Sequence, residues 1–112
     1  MSKSERRRHP REAIEAKVYL WWQDSRSADC VAHGHCVDVS IRGLQVEISH
    51  PIAARTVVYF RFQELHVTAS ATVRYCRQRG RTYRVGLEML GQENILQRIV
   101  KAGAGAARAL VP

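Results

Sequence analysis

Short runs in which every second residue is apolar, separated by polar turns, fill the chain from Ala16 to Met89. Side chains on a strand point alternately to its two faces, so such runs read as strands with one buried face. AKVYLWW (16–22), dense in aromatic and β-branched residues, is the first, and the polar loop QDSRSAD follows it. In GHCVDVS (34–40), Val37 and Val39 share one face while Cys36, Asp38 and Ser40 share the other. A turn at Ile41-Arg42-Gly43 leads into LQVEI, where Leu44, Val46 and Ile48 align. TVVYFRF sets Val58, Phe60 and Phe62 on one side, and HVTASATVRYC does the same with Val67, Ala69, Ala71, Val73 and Tyr75. After the polar turn RQRGR, YRVGLEM is the sixth strand. Six short strands joined by tight turns predict a mostly β domain, an antiparallel barrel or sandwich in which closure removes exposed edges.

From Gln92 the period changes. Ile95, Leu96, Ile99 and Val100 recur at helical spacing, which predicts a C-terminal helix that ends near Gly103 and Gly105. At 112 residues the chain reads as one domain: an arginine-rich arm over 1–12, a barrel over 13–91, and a helix and tail over 92–112. No stretch approaches the roughly 18 uninterrupted apolar residues of a membrane span, and no apolar signal segment follows the charged start, so the expected location is cytoplasmic, without membrane insertion. Three cysteines, Cys30, Cys36 and Cys76, without a CxxC spacing fit a reducing compartment.

Charge narrows the choice of partner. Lys+Arg number 18 against 10 Asp+Glu, a formal net charge of +8, and lysine occurs only at Lys3, Lys17 and Lys101. Arginine carries a planar fork that matches phosphates and guanine edges, where lysine is a point charge. Residues 1–11 hold five cations against the single acid Glu5, within the stretch MSKSERRRHPR. The partner is expected to be anionic.

Three groups of residues carry candidate chemistry. CVAHGHC places Cys30, His33, His35 and Cys36 within seven residues, but the spacing matches no familiar zinc pattern and His35 and Cys36 point apart on a strand. A loop histidine and an ordinary strand cysteine are the expected reading. DVSIRG sets Asp38 and Ser40 side by side on one strand face, with Gly43 at the turn able to take positive φ or to admit a close neighbour. In RRRHPR, Pro10 biases His9 toward an extended backbone, so Arg7 and Arg11 bracket a stiffened segment. Nothing in the sequence resembles a nucleophile elbow or a P-loop, and the five histidines are scattered, so no enzyme is expected.

Taken together, RxxxR (Arg7, Arg11), then DxSxxG (Asp38, Ser40, Gly43), then the late strand YRVGLEM, in that order, resemble the PilZ domain family over essentially the whole chain. The resemblance implies a six-stranded antiparallel PilZ-type β-barrel with a flanking helix that binds the bacterial second messenger cyclic di-GMP. It places Arg7 and Arg11 in the arginine motif and Asp38, Ser40 and Gly43 in the strand motif, with Arg6 and Arg8 as flanking contacts to a phosphate or a second ligand. No protein cofactor is implied. Such an arm is expected to be mobile when empty and ordered when bound, which would relay the signal to an unidentified effector protein. Arg42 and the Arg77, Arg79, Arg81 turn read as solvated, with rim contacts left open.

Two alternatives stand beside this reading. One is a small basic β-barrel that binds nucleic acid by charge and stacking. The pattern weighs against it, because Tyr19, Trp21, Trp22, Phe60 and Phe62 lie in strands where they are expected to fill a core. The other is a PilZ-like adaptor that works by protein contact without ligand, which the intact motifs disfavour. Motility, exopolysaccharide synthesis and virulence are the processes the resemblance suggests.

Overall fold

The computed structural model describes residues 12–63, 68–92 and 94–98, with side chains from Ala16 onward. Six strands follow in chain order: β1 Glu12–Gln23, β2 Asp29–Val39, β3 Gly43–Ile48, β4 Val57–Phe62, β5 Thr68–Arg79 and β6 Thr82–Met89. They form a closed antiparallel barrel in the order β1-β2-β3-β6-β5-β4, so no strand is left with an unpaired edge. Hence the barrel form, and not the sandwich, is what the chain adopts.

Closure depends on large side chains facing small ones. On the inner face of β4, Val58, Phe60 and Phe62 are buried, as their alternation requires. Phe60 lies opposite Leu20 on β1 and Ala69 on β5, and Val58 opposite Trp22 and Ala71. The two alanines leave room for the phenyl rings, and Phe60 and Phe62 meet edge-on with centroids 6.0 Å apart. A phenyl ring at an inner position of one strand needs a methyl opposite it on the next, as Ala69 is to Phe60.

Tight turns hold the register. β5 and β6 are joined by the two-residue loop Gly80-Arg81, with φ +65° at Gly80, the geometry a type II′ hairpin requires at its first central residue. Between β1 and β2, the Asp24 carboxylate accepts from the amides of Arg26 and Ala28 at 2.8 and 2.9 Å. The chain turns after β6 at Gly91 and Gln92, both with positive φ, into a short helix over 94–98 whose Ile95 and Leu96 join the core. Ile99 and Val100, the other two residues of the expected helical stripe, lie outside the described residues. Among the described residues no helix is long and apolar enough to cross a membrane.

Three irregularities break the strand alternation. One lies on β1 between Ala13 and Ala16, one on β2 between Cys36 and Asp38, and one on β5 between Val73 and Tyr75. Each adds one residue to one strand of a pair, and an added residue reverses which face every later side chain takes. The expected faces of Cys36 and Tyr75 are overturned for this reason.

On β2, Val37 is the extra residue: Cys36 pairs with Val46 and Asp38 with Gln45. Cys36 is therefore fully buried and Val39 is buried three residues later, where simple alternation put Val37 inside and Cys36 out. Burial, then the nearby Asp38 charge, pushes the Cys36 thiol from its ordinary 9.0 up to about 12. A group with a raised folded pKa stabilises the fold fully below its unfolded value, and that contribution is lost as pH rises toward the folded one. Unfolding stability is thus expected to decline between pH 9 and about 12. In native protein at neutral pH, a maleimide is expected to label the partly exposed Cys30 and Cys76 and to reach Cys36 only after denaturant is added. Mass spectrometry of the labelled peptides checks this, and native labelling of Cys36 would contradict its placement.

On β5 the extra residue is Arg74. Val73 pairs with Leu87, Tyr75 with Gly86 and Cys76 with Val85. Tyr75 accordingly turns to the outer surface and Cys76 packs against the core, where the alternation alone had placed Tyr75 inside.

Candidate functional site

The far end of β2 builds the first part of the site. With Val39 turned into the core, its neighbours Asp38 and Ser40 face outward and are half-buried. The expected side-by-side placement of carboxylate and hydroxyl is therefore present, although Cys36 has left that face. The β2–β3 turn is closed by the Ser40 amide, which donates to the Gly43 carbonyl at 2.8 Å, and the Ser40 hydroxyl reaches the same oxygen at 3.4 Å. The Arg42 carbonyl, at the turn, accepts from the Met89 amide at 2.9 Å, which ties the loop to the end of β6. Ile41 and Arg42 are exposed at the tip.

Gly43 serves the barrel. Its backbone does not take the left-handed conformation that the turn position suggested, and it is buried at the start of β3. A side chain here would run into the carbonyl oxygen of Leu87 on β6. The close neighbour that glycine admits is thus the adjacent strand.

Cross-strand pairing extends the outer surface around Asp38. Asp38 pairs with Gln45, Gln45 with Gly86, and Gly86 with Tyr75, so one row of outward positions crosses β2, β3, β6 and β5. At about 4.8 Å per strand the row spans roughly 14 Å. The row above it holds His35, Glu47, Arg84 and Arg77 in register. Arg84 links the two rows, donating to the Gln45 amide oxygen at 3.3 Å and to Glu47 at 3.2 Å, while Glu47 lies 3.7 Å from His35 Nε2. The Arg84 Nε is buried and finds no acceptor among the described residues. On the other side, Arg74 pairs with Glu88 at 3.0 Å. The surface is thus a charged frame with a bare glycine at its middle.

The arginines expected to complete the site, Arg6, Arg7, Arg8 and Arg11, lie outside the described residues. Backbone pairing of Ala13 with Asp38 brings the start of β1 alongside the Asp38 end of β2. The described part of β1 therefore begins, at Glu12 and Ala13, next to Val39 and Asp38. This proximity is a property of barrel topology that the linear order of motifs does not reveal.

The zinc-like cluster is dispersed. Cys36 is in the core, Cys30 is partly buried near the other end of β2, His33 is exposed, and His35 faces Glu47. Among the described residues no three His, Cys, Asp or Glu side chains group as metal ligands.

The aromatic residues divide between the two faces. Trp22, Phe60 and Phe62 are core, as expected, whereas Tyr19 and Trp21 lie on the outer face with Tyr59. Tyr19 and Trp21 have centroids 5.4 Å apart, and Trp21 stacks on Tyr59 at 6.0 Å with 21° between planes. Tyr19 also packs on His33 at 4.7 Å. An open groove of about 1020 Å³ lined by these three aromatic rings, Val31 and Val57 runs along this wall, and its lining includes none of Asp38, Ser40 or Gly43. Sequence alternation contained the signal: Tyr19 and Trp21 are out of phase with the buried Val18, Leu20 and Trp22.

The comparisons with known proteins agree with this architecture. The family model described as PilZ domain matches residues 5–102. No curated protein matches the chain. Among solved structures, the chain is similar to the PilZ domain of YcgR from Escherichia coli with c-di-GMP, with a TM-score of 0.68 at 17% identity over 93% of this chain and 95% of that one. It is similar to the K. pneumonia MrkH-c-di-GMP complex with a TM-score of 0.67 at 12% identity, covering 92% of this chain and 54% of that one. The chain of E. coli YcgR crystallised in complex with c-di-GMP is also similar, with a TM-score of 0.64 at 18% identity, and there the match spans about half of the relative, 48%.

Proposed function

The chain belongs to the PilZ domain family, and from that membership we propose that it is a receptor for cyclic di-GMP which passes the signal to a partner protein and performs no catalysis. The observation that carries the reading is the outward turn of Asp38 by the Val37 bulge, beside Ser40 and beside the start of β1 at Glu12 and Ala13. The solved relatives that contain c-di-GMP have the same barrel.

The residues suit the ligand. Cyclic di-GMP carries two phosphates and two guanines. The Asp38 carboxylate would accept from the guanine N1–H and amino group, an arrangement adenine does not offer. Ser40, at the turn, would donate to a phosphate or base edge, and Gly43 would keep the turn flat beneath the ring. Arg7 and Arg11 would clamp guanine or phosphate with their planar forks, and Arg6 and Arg8 would add phosphate contacts. In this reading 1–12 is the closing arm, 13–91 the recognition barrel, and 92–112 the helix and tail. The effector that reads the closed arm is a protein of still unassigned identity, and the compartment is the cytoplasm, where the messenger would be encountered.

Isothermal titration tests the reading directly. Wild-type protein is expected to give saturable heat with cyclic di-GMP and none with cyclic di-AMP, because only guanine offers Asp38 two adjacent donors. Absence of heat at high ligand concentration sinks the proposal. A single-stranded oligonucleotide in the same cell addresses the nucleic-acid alternative, which the outward aromatic row of Tyr19, Trp21 and Tyr59 favours. Base-indifferent binding that falls steeply with salt would support that alternative instead.

A further inference from the structure

We propose that the outward wall of β4, β1 and β2 is a self-association surface whose occupant is a second copy of this chain. The wall is separate from the proposed ligand site, since its groove is lined by none of Asp38, Ser40 or Gly43. Apolar exposure marks it. Of the five large hydrophobic side chains that are exposed among the described residues, Val31, Val57 and Tyr59 lie here. Trp21 stands between Tyr59 and Val31 in one cross-strand row. A contiguous apolar patch with a polar rim is the usual sign of a contact surface.

The charges at the rim identify what covers it. On the β4 side, Arg61 pairs with Tyr19, one step before Trp21 along β1; on the β2 side, Asp29 pairs with Gln23, one step after it. With strands about 4.8 Å apart and about 6.8 Å to each two-residue step, Trp21 lies midway between opposite charges roughly 16 Å apart. Both are exposed, and neither has an ion-pair partner among the described residues; Asp29 only accepts from Gln23 Nε2 at 3.3 Å. A surface with this arrangement complements itself. A two-fold axis lying in the wall, through Trp21 and across the Arg61–Asp29 diagonal, carries each Arg61 onto the partner's Asp29 and sets the two Trp21 side chains face to face. Homodimers are most often built on such a self-complementary two-fold contact, with aromatic residues at the centre and charges at the rim.

Local charge favours a second copy over a polyanion. Although the chain carries +8, the charged residues lining the groove are one cation, Arg61, and two acids, Asp24 and Asp29. The acidic end is also fixed in place, because the Asp24 carboxylate ties the amides of Arg26 and Ala28 within the loop that leads to Asp29. Two carboxylates there repel a phosphate chain and attract the partner's Arg61. A wall three strands wide is a small interface, so the association is expected to be weak and reversible.

The test is analytical ultracentrifugation of ligand-free protein over a concentration series, in about 0.15 M salt, where repulsion between two +8 copies is screened beyond about 8 Å. Wild type is expected to move reversibly from 12.7 kDa towards twice that mass as concentration rises. Arg61→Asp and Asp29→Arg should each weaken the association about 10-fold or more, and the double variant should return to within about 3-fold of wild type, because exchanging the charges rebuilds both pairs. Val31→Glu, at an exposed position, would bury a carboxylate against the partner's rings and is expected to dissociate the dimer as well. All these positions are exposed, so thermal melts of the variants should match wild type. A wild type that stays at 12.7 kDa overturns the proposal, as does a dimer indifferent to these changes or a double variant that does not recover. A monomer that binds a single-stranded oligonucleotide, and loses it in Arg61→Asp, would assign the wall to nucleic acid and overturn it too. No ligand is added, so a failure of cyclic di-GMP to bind would leave the result standing.

Discussion

Replacing Asp38 with alanine is expected to weaken cyclic di-GMP binding roughly 100-fold, a loss of about 3 kcal/mol, at the upper end of what a two-point contact to a base edge contributes. The size follows from charge and position. Asp38 is the only carboxylate of the DxSxxG motif, and it is turned to the outer face between the buried Cys36 and Val39. A carboxylate that accepts two hydrogen bonds from one guanine edge leaves both ligand donors without a partner when it is removed. The fold should not suffer, because the Asp38 side chain is only half-buried and the register around it is set by backbone pairing with Gln45. Calorimetry and a thermal melt on the same sample separate the two effects. An unchanged affinity would remove Asp38 from the site, whereas a collapsed melting temperature would show that it is structural. Asp38→Asn is the sharper comparison, since it keeps volume but puts an amide where two donors arrive.

The second large effect concerns stability. Phe60→Ala is expected to cost about 3–5 kcal/mol, the range for emptying a buried phenylalanine site. Phe60 is 1% exposed and faces Leu20 on one neighbouring strand and Ala69 on the other. Ala69 is too small to fill the gap, and a closed barrel cannot collapse inward without breaking a ladder, so the cavity persists. For a domain of this size that loss lowers the melting temperature by about 15–25 °C. It also removes much of a total stability of about 5–15 kcal/mol. Urea unfolding would show the same loss as a fall in midpoint at nearly constant slope. A midpoint shift of less than a fifth of this would mean that the barrel repacks around position 60, contrary to the geometry of β4 and β5.

The strand plan was legible wherever the period ran without interruption. Val58, Phe60 and Phe62, and likewise Leu44, Val46 and Ile48, are buried where alternation put them. Alternation is a local property of a pleated chain, so it survives translation into three dimensions as long as no residue is inserted. The turn at Gly80-Arg81 was legible for a similar reason, because glycine alone relieves the local steric demand. The order of the RxxxR and DxSxxG motifs was legible as well, and it pointed to the family that the model match then established. Within the site, the outward pair Asp38 and Ser40 was read correctly, but Cys36 was given their face and Tyr75 was given a core position.

Those two residues mark the boundary between sequence and tertiary structure. By itself the sequence determined six alternating strands, a basic balance, and the residue types that could recognise guanine and phosphate. Only the closed sheet decided where the phase slips at Val37 and Arg74, because a bulge is set by how a strand must bend to meet both neighbours at once. Neither valine nor arginine announces such a bend in its own chemistry. The juxtaposition of Asp38, Gln45, Gly86 and Tyr75 in one outward row is likewise a product of pairing between strands that lie far apart in the sequence, Gln45 of β3 with Gly86 of β6 above all. A linear pattern carries the period of each strand, and the hydrogen-bonded closure of the barrel selects which residues stand side by side.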